Sequence, residues 1–443
     1  MKRKFVSGFL IVVLVLSTVP AFALPVDPDS PLIPIAMRVL DNGMRIIVKE
    51  ISTYPIATVN VWVGAGAKDD PPGLSGLAHF FEHLTFKGTP SRPRGQIAYE
   101  VESVGGYLNA MTSLDFTTYF IVVPSDYAGL AMEIQADALR NSLFEPGEID
   151  QERYVIHEEI RLRQDSPQTH LLDMVLAHLF PGTPYAKQPI GTFEELANVD
   201  RNAMVDFHAQ YYVPNNMVLV VAGNVSAEEI FAQAEELYGD MEPKALPPSQ
   251  YIPIPKLDSV ITVDEEREVS QSYVFIGYPA PGLNTRDAAA LTMASVILGQ
   301  GRASRLYRAV VEEEQLVNDV TALYDGFADI GLFGIYGEVP SENVERFTAA
   351  ALAEIARLQE ELVTEEELAR AKTVARSSLA FSNQSSDNVA VFLGIRELYG
   401  SVMEAVNQIA ILEQVTAEDI QRAAQSYLSS QAYVLGHIRP EGR

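Results

Sequence analysis

The stretch Gly73-Leu-Ser-Gly-Leu-Ala-His-Phe-Phe-Glu-His-Leu-Thr-Phe-Lys-Gly88 decides how this chain is read. Its apolar residues Leu77, Ala78, Phe80, Phe81 and Leu84 recur at helical spacing, between a Gly/Ser-rich start and the stop signal Gly88. On a helix, positions i and i+4 stand one above the other. His79 and His83 therefore share a face, and Glu82 lies beside them. Two imidazoles and a carboxylate inside so apolar a helix are costly to bury without partners. The spacing predicts a helix that delivers these three groups to one place.

Two imidazoles at this spacing suit Zn²⁺, which takes His nitrogens and carboxylate oxygens. The order H-x-x-E-H reverses the commoner H-E-x-x-H of metal-dependent peptidases, and Glu82 stands where a general base can act on a zinc-activated water. A catalytic zinc takes three protein ligands and keeps a fourth position open, so one ligand must come from elsewhere. Glu152-Arg-Tyr-Val-Ile-His-Glu-Glu-Ile-Arg161 offers it. Glu159 follows His83 by 76 residues, and Glu152 lies seven residues, two helical turns, before Glu159. One carboxylate can bind the metal while another orients a ligand histidine. Spacing alone leaves Glu152, Glu158 and Glu159 open. The remaining histidines, His157, His170, His178, His208 and His437, form no second metal pattern and read as surface or packing residues.

The 443 residues, 47% of them hydrophobic, suffice for a large core and two or more domains. Residues 1–23 have the three parts of a secretory signal peptide: Lys2-Arg-Lys4, the apolar run Phe5 to Val19, and Ala21-Phe-Ala23. The apolar run is too short to favour a stable membrane anchor. A periplasmic or secreted location after cleavage near Ala23 is expected. There is no cysteine, so a zinc site must be built from His and carboxylate. The net charge of −27, which becomes −30 without Lys2, Arg3 and Lys4, argues against nucleic acid as a partner.

Alternating or β-branched runs at Met44 to Lys49, Ile56 to Val63, Gly105 to Thr112, Thr117 to Val123 and Met217 to Ala222 predict strands. Ala128 to Leu143 and Gly147 to Leu162 carry helical periodicity. Residues 243–256, with five prolines, read as a linker. Beyond it the plan repeats: strand-like Ser272 to Gly277, helical Asp287 to Leu298, and a closing helix and strand. There Gln414 to Tyr427 with Tyr433 to Ile438 matches Asn198 to Tyr211 with its following strand. The expectation is α+β: two homologous domains, 24–242 and 257–443, each a mostly antiparallel sheet flanked by helices. Only the first carries H-x-x-E-H.

Several segments, in order, resemble the pitrilysin and mitochondrial processing peptidase family of zinc peptidases, the inverzincins. They are Gly76 to Thr89, Gly105 to Phe120, Glu152 to Pro167, Pro189-Ile-Gly191, Tyr212 to Met217 and Leu298-Gly-Gln-Gly-Arg-Ala-Ser-Arg-Leu306. The resemblance covers nearly all of the chain after residue 23. It implies one Zn²⁺ held by His79, His83 and Glu159, Glu82 as general base, and Glu152 as the carboxylate that orients a ligand. It also implies that Asn109, Ala110 and Thr112 bind a peptide substrate's backbone as an added strand. The two domains would form half of a clamshell chamber suited to peptides or unfolded segments.

The chain departs from that family at one place. Self-sufficient members carry an Arg and, seven residues on, a Tyr that bind substrate. In Val310 to Val320 the corresponding positions are Val311 and Asn318, neither of which replaces them, with Arg308 and Tyr324 as nearby alternatives. This resembles the zinc-bearing subunit of two-chain members. It implies a heterodimer with a homologous zinc-free subunit that supplies Arg and Tyr, in preference to a homodimer. The alternative is a zinc- or peptide-binding structural subunit without turnover, like the core proteins of respiratory complexes that share the fold.

Overall fold

The computed structural model describes residues 30, 32–248 and 250–442, so the signal peptide expected at 1–23 lies outside the described residues. β-branched and aromatic runs assemble into two sheets. The first holds β1 (Ala36–Val39), β2 (Arg45–Glu50), β3 (Ile56–Val63), β4 (Tyr107–Thr112), β5 (Thr117–Pro124) and β6 (Met217–Gly223), in the spatial order β1-β2-β6-β3-β5-β4. The second holds β7 (Ile261–Arg267), β8 (Ser272–Pro281), β9 (Val320–Gly326), β10 (Ile330–Val339) and β11 (Val434–Pro440), in the order β7-β11-β8-β10-β9. Leaving out β1, the two orders match strand for strand. Each sheet has one parallel pair, β2 with β6 and β7 with β11, and the other pairs are antiparallel. The duplicated, helix-flanked α+β plan read from the sequence is the plan of the structure.

Each sheet is covered on one face by helices of its own half. In the first half these include the motif helix Leu77–Thr85 and the helix Ala128–Asn141, over a core containing Ile46, Val59, Val61, Phe80 and Phe81. The opposite faces are covered by exchange. Helix Ser386–Tyr399 of the second half lays Val389, Ala390 and Leu393 on Ile47, Trp62, Val218 and Val220 of the first sheet. Helix Pro167–Leu179 of the first half lays Leu171, Val175 and Leu179 on Phe275, Val434 and Ile438 of the second. Glycines permit the close approach. A Cβ on Gly436 would stand 2.5 Å from Val175 Cγ2, and one on Gly394 would run into the Trp62 indole. Coverage on both faces explains why β6 is a continuous apolar run and is buried throughout.

Between Tyr238 and Ile261 the described residues form neither helix nor strand. This Pro-rich segment is nonetheless packed. Ile252, Ile254 and Leu257 join the same apolar cluster as helix Pro167–Leu179, and the Ile252 N–H donates to Asp329 Oδ2 at 3.3 Å.

Candidate metal centre

The motif helix is entered through Gly76 at φ +91°, a left-handed conformation that glycine adopts without strain. Its first N–H groups are satisfied from outside the helix. Asp70 Oδ2 accepts from Gly76 N at 2.7 Å, and Oδ1 accepts from Ala78 N at 2.8 Å. Burial pushes the Asp70 carboxyl up to about 7, against the lowering effect of these two hydrogen bonds. A Cβ on Gly76 would stand 2.6 Å from Ile190 O, so the Pro189-Ile-Gly191 segment packs directly on the start of the helix.

Leu77, Ala78, Phe80, Phe81 and Leu84 face the core and fix the rotation of the helix. His79 and His83 emerge on the other side with ring centroids 4.7 Å apart. The long helix Pro146–Asp165 runs alongside, anchored by buried Ile149, Ile156 and Ile160. From it Glu159 Oε2 reaches His79 Nε2 at 3.8 Å and His83 Nε2 at 3.4 Å. One ligand atom from each of the three residues can be chosen so that all lie within 4.8 Å of one another, the one such group found among the described residues. Two imidazole Nε2 atoms converging on one carboxylate oxygen fit Zn²⁺ in both donor type and number, with the Glu159 side chain 37% exposed toward an open side.

The helix also separates the three carboxylates that spacing left open. Glu158 points outward to an exposed ion pair with Arg161. Glu152 is buried and divides its carboxylate. Its Oε2 meets His83 Nδ1 at 3.1 Å, and its Oε1 meets Lys87 Nζ at 2.6 Å. His79 has no such support, because its Nδ1 is buried with no hydrogen-bond partner among the described residues.

Burial first and then the charge of His83 push the His79 imidazole down to about 4, which keeps its ring neutral at physiological pH. Burial also pulls His83 down, but hydrogen bonds and charges from Glu159 and Glu152 outweigh it and hold the ring above its ordinary value. Hydrogen bonding from His83 draws the Glu159 carboxyl below its ordinary value. Burial raises the Glu82 carboxyl despite its hydrogen bonds from Thr112, the direction a general base near neutral pH requires.

β4 is an edge strand of the first sheet. Its last residue, Thr112, donates its hydroxyl to Glu82 Oε2 at 2.5 Å. Asn109 is exposed, and its Oδ1 accepts from the neighbouring Ala110 N–H at 2.9 Å; Ala110 packs partly on the core. The segment expected to take a substrate backbone therefore borders the motif helix and has one unpaired edge.

The Val311 and Asn318 positions lie elsewhere. Val311 belongs to the π-helical turn Tyr307–Glu313 and packs on the second core, while Asn318 is exposed. Arg308 is exposed, and Tyr324 donates its hydroxyl to Pro281 O at 2.8 Å. Two residues that hold the centre escaped the sequence reading. Lys87 follows His83 by four residues, but a lone lysine at that spacing reads as a solvated charge. Asp70 acts from a loop, where no periodicity marks it.

Comparison with known proteins agrees with this geometry. A family model described as "Insulinase (Peptidase family M16)" matches residues 45–192, and one described as "Peptidase M16 inactive domain" matches residues 198–374. An uncharacterized zinc protease of Mycobacterium tuberculosis is 33% identical over 429 residues, covering 94% of this chain and 96% of the relative. An uncharacterized zinc protease of Bacillus subtilis is 26% identical over 405 residues, covering 90% and 97%. The crystal structure of a protease from Helicobacter pylori superimposes with a TM-score of 0.85 at 25% identity, covering 92% of this chain and 99% of that one.

Proposed function

Because this chain belongs to the insulinase family of peptidases (M16), we propose that it is a zinc-dependent metalloendopeptidase that hydrolyses peptides or unfolded segments. The observation that carries this reading is the convergence of His79 Nε2 and His83 Nε2 on Glu159 Oε2, with the Glu82 carboxylate held next to them by Thr112. Zinc, when bound, supplies Lewis-acid activation of a water and stabilises charge developing on the scissile carbonyl. His79, His83 and Glu159 hold it. Glu82 takes the water's proton and later returns it to the leaving amine. Glu152 fixes the ring of His83 through Nδ1. The edge of β4, at Asn109, Ala110 and Thr112, takes the substrate as an added strand and brings its scissile bond to Glu82.

The proposal extends to the working form. The domains are 24–242 and 257–443, and the chain is exported to the periplasm or beyond after removal of 1–23. Val311 and Asn318 support pairing with a homologous zinc-free chain that provides an Arg and a Tyr, the two together enclosing a chamber. The same two residues favour a second reading, in which the chain binds zinc or peptide without turnover.

The test is cleavage of a quenched fluorescent peptide library by the chain from Leu24 onward with zinc, alone and with a second M16 chain, using Glu82→Gln as control. General-base catalysis is worth about 10²–10⁴-fold, and Glu82→Gln is expected to lose at least that much while keeping its zinc. Activity only in the mixture supports the heterodimer. Zinc uptake without cleavage under any condition supports the second reading.

A further inference from the structure

We infer that Lys87 is a positioning residue of the metal centre, setting zinc affinity by holding Glu152 in the orientation that presents His83 to the metal. The inference rests on the zinc-peptidase reading above and assigns a role to a residue outside the ligand set, the base and the peptide-binding edge.

The geometry begins with the motif helix. It ends at Thr85, and the Lys87 N–H donates to Leu84 O at 3.1 Å, closing one further turn. That turn places Lys87 four residues after His83, on the histidine's side of the helix. Lys87 lines a small cavity of about 80 Å³ whose wall holds Leu84, Pro93, Leu143 and Phe144 together with Arg94, Glu145 and Glu148. A lysine can run its stem along such a wall while its ammonium turns toward a partner. That partner is Glu152, at 2.6 Å.

Glu152 is the link. Its side chain is 7% exposed, so its two oxygens depend on protein partners, and these come from the motif helix and the turn that follows it: Oε2 takes His83 Nδ1 and Oε1 takes Lys87 Nζ. A carboxylate held at one oxygen can still rotate about its last bond. Held at both, its plane is fixed, and so is the direction from which it accepts the Nδ1 proton. With that proton on Nδ1, the lone pair of His83 Nε2 faces Glu159, where the metal belongs.

An ordinary surface ion pair would not matter this much. Two observations set this one apart. The acceptor is buried, and the other ligand histidine has no equivalent, since His79 Nδ1 lacks a partner among the described residues. Control over ring orientation falls on His83, and through Glu152 on Lys87. Lys87 also stands at the C-terminal end of the motif helix, where a cation is favoured by the helix dipole.

The test is zinc affinity, measured by competition with a chromophoric chelator, for the wild type, Lys87→Met, Lys87→Arg and Glu152→Gln. Methionine keeps an unbranched apolar stem and removes the charge; arginine restores a donor. Lys87→Met is expected to bind zinc about ten- to hundredfold more weakly, in the range seen when such outer contacts are lost. Lys87→Arg is expected to recover most of that loss. Affinity of Lys87→Met within twofold of wild type, with Glu152→Gln weakened, overturns the inference and leaves the zinc reading standing. A wild type that takes up no zinc overturns both. If Lys87→Met does not fold, Lys87→Gln serves in its place.

Discussion

Thr112 Oγ1 lies 2.5 Å from Glu82 Oε2, so the last residue of an edge strand holds the carboxylate of the motif helix. Under the proposed function, a peptide that adds to β4 would be placed in register with Glu82, the proposed proton acceptor.

Replacing Thr112 by Val keeps the shape and removes the hydroxyl. A hydrogen bond to a charged group is worth about 1.5–3 kcal/mol, so kcat is expected to fall roughly ten- to hundredfold with KM little changed. Thr112→Ser is expected to restore most of the rate. Steady-state kinetics on a cleaved peptide decide it, and a change confined to KM would assign Thr112 to substrate binding instead.

Glu158 and Glu159 are neighbours with opposite surroundings, one paired outward to Arg161 and one facing both histidines. Zinc at 100 times its Kd is expected to stabilise the wild type by about 2.7 kcal/mol. Thermal unfolding with and without zinc is expected to show that shift in Glu158→Gln and to show little of it in Glu159→Gln. The reverse pattern would exchange the two roles.

Arg305 grips Glu367 through Nε at 2.6 Å and Nη2 at 2.9 Å, and these hydrogen bonds hold the carboxyl down at about 2 from its ordinary 4.5. A carboxyl depressed by folding binds fewer protons folded than unfolded. Its stabilisation is therefore complete above about pH 4.5 and is lost as pH falls toward about 2. Urea unfolding of the metal-free protein is expected to show Glu367→Gln less stable than wild type at pH 7, with a smaller gap at pH 3. A gap of equal size at both values would remove charge from the explanation.

Trp62 is the single tryptophan of the chain and is fully buried beneath Gly394. Gly394→Val has no room and is expected to cost about 1–3 kcal/mol by overpacking. It is also expected to red-shift the tryptophan emission as the helix lifts from the indole. Unchanged emission with unchanged stability would show that this junction yields easily.

Much of this was legible in the sequence, and what was not has physical causes. The motif helix, the strands through Ile56–Val63 and Met217–Gly223, and the duplicated order follow from periodicity, because burial there is regular. β10 is harder to read, since Gly331, Gly334 and Gly337 interrupt its β-forming residues; they are glycine because neighbouring backbone and aromatic rings leave no space for a side chain. β9 carries exposed Thr321 and Asp325 at a sheet edge. At the site, spacing named His79, Glu82 and His83 but left three glutamates open; the family resemblance, not periodicity, pointed to Glu159 and Glu152, and in the structure Glu158 is turned away to Arg161. Lys87 gave no signal because one lysine on a helix is usually a solvated charge, and only the buried Glu152 gives it meaning.

The exchanged helices Pro167–Leu179 and Ser386–Tyr399 change what the covalent thread between the halves is for. Each half, taken alone, would bare the apolar back of its sheet and an apolar helix with nothing to lie on. Cutting the backbone within 243–256 would therefore leave the halves clasped, and fragments 24–242 and 257–443 made apart would be poor folders that rescue each other when mixed. The halves act as obligate mutual templates, and chain continuity serves mainly to raise their effective concentration.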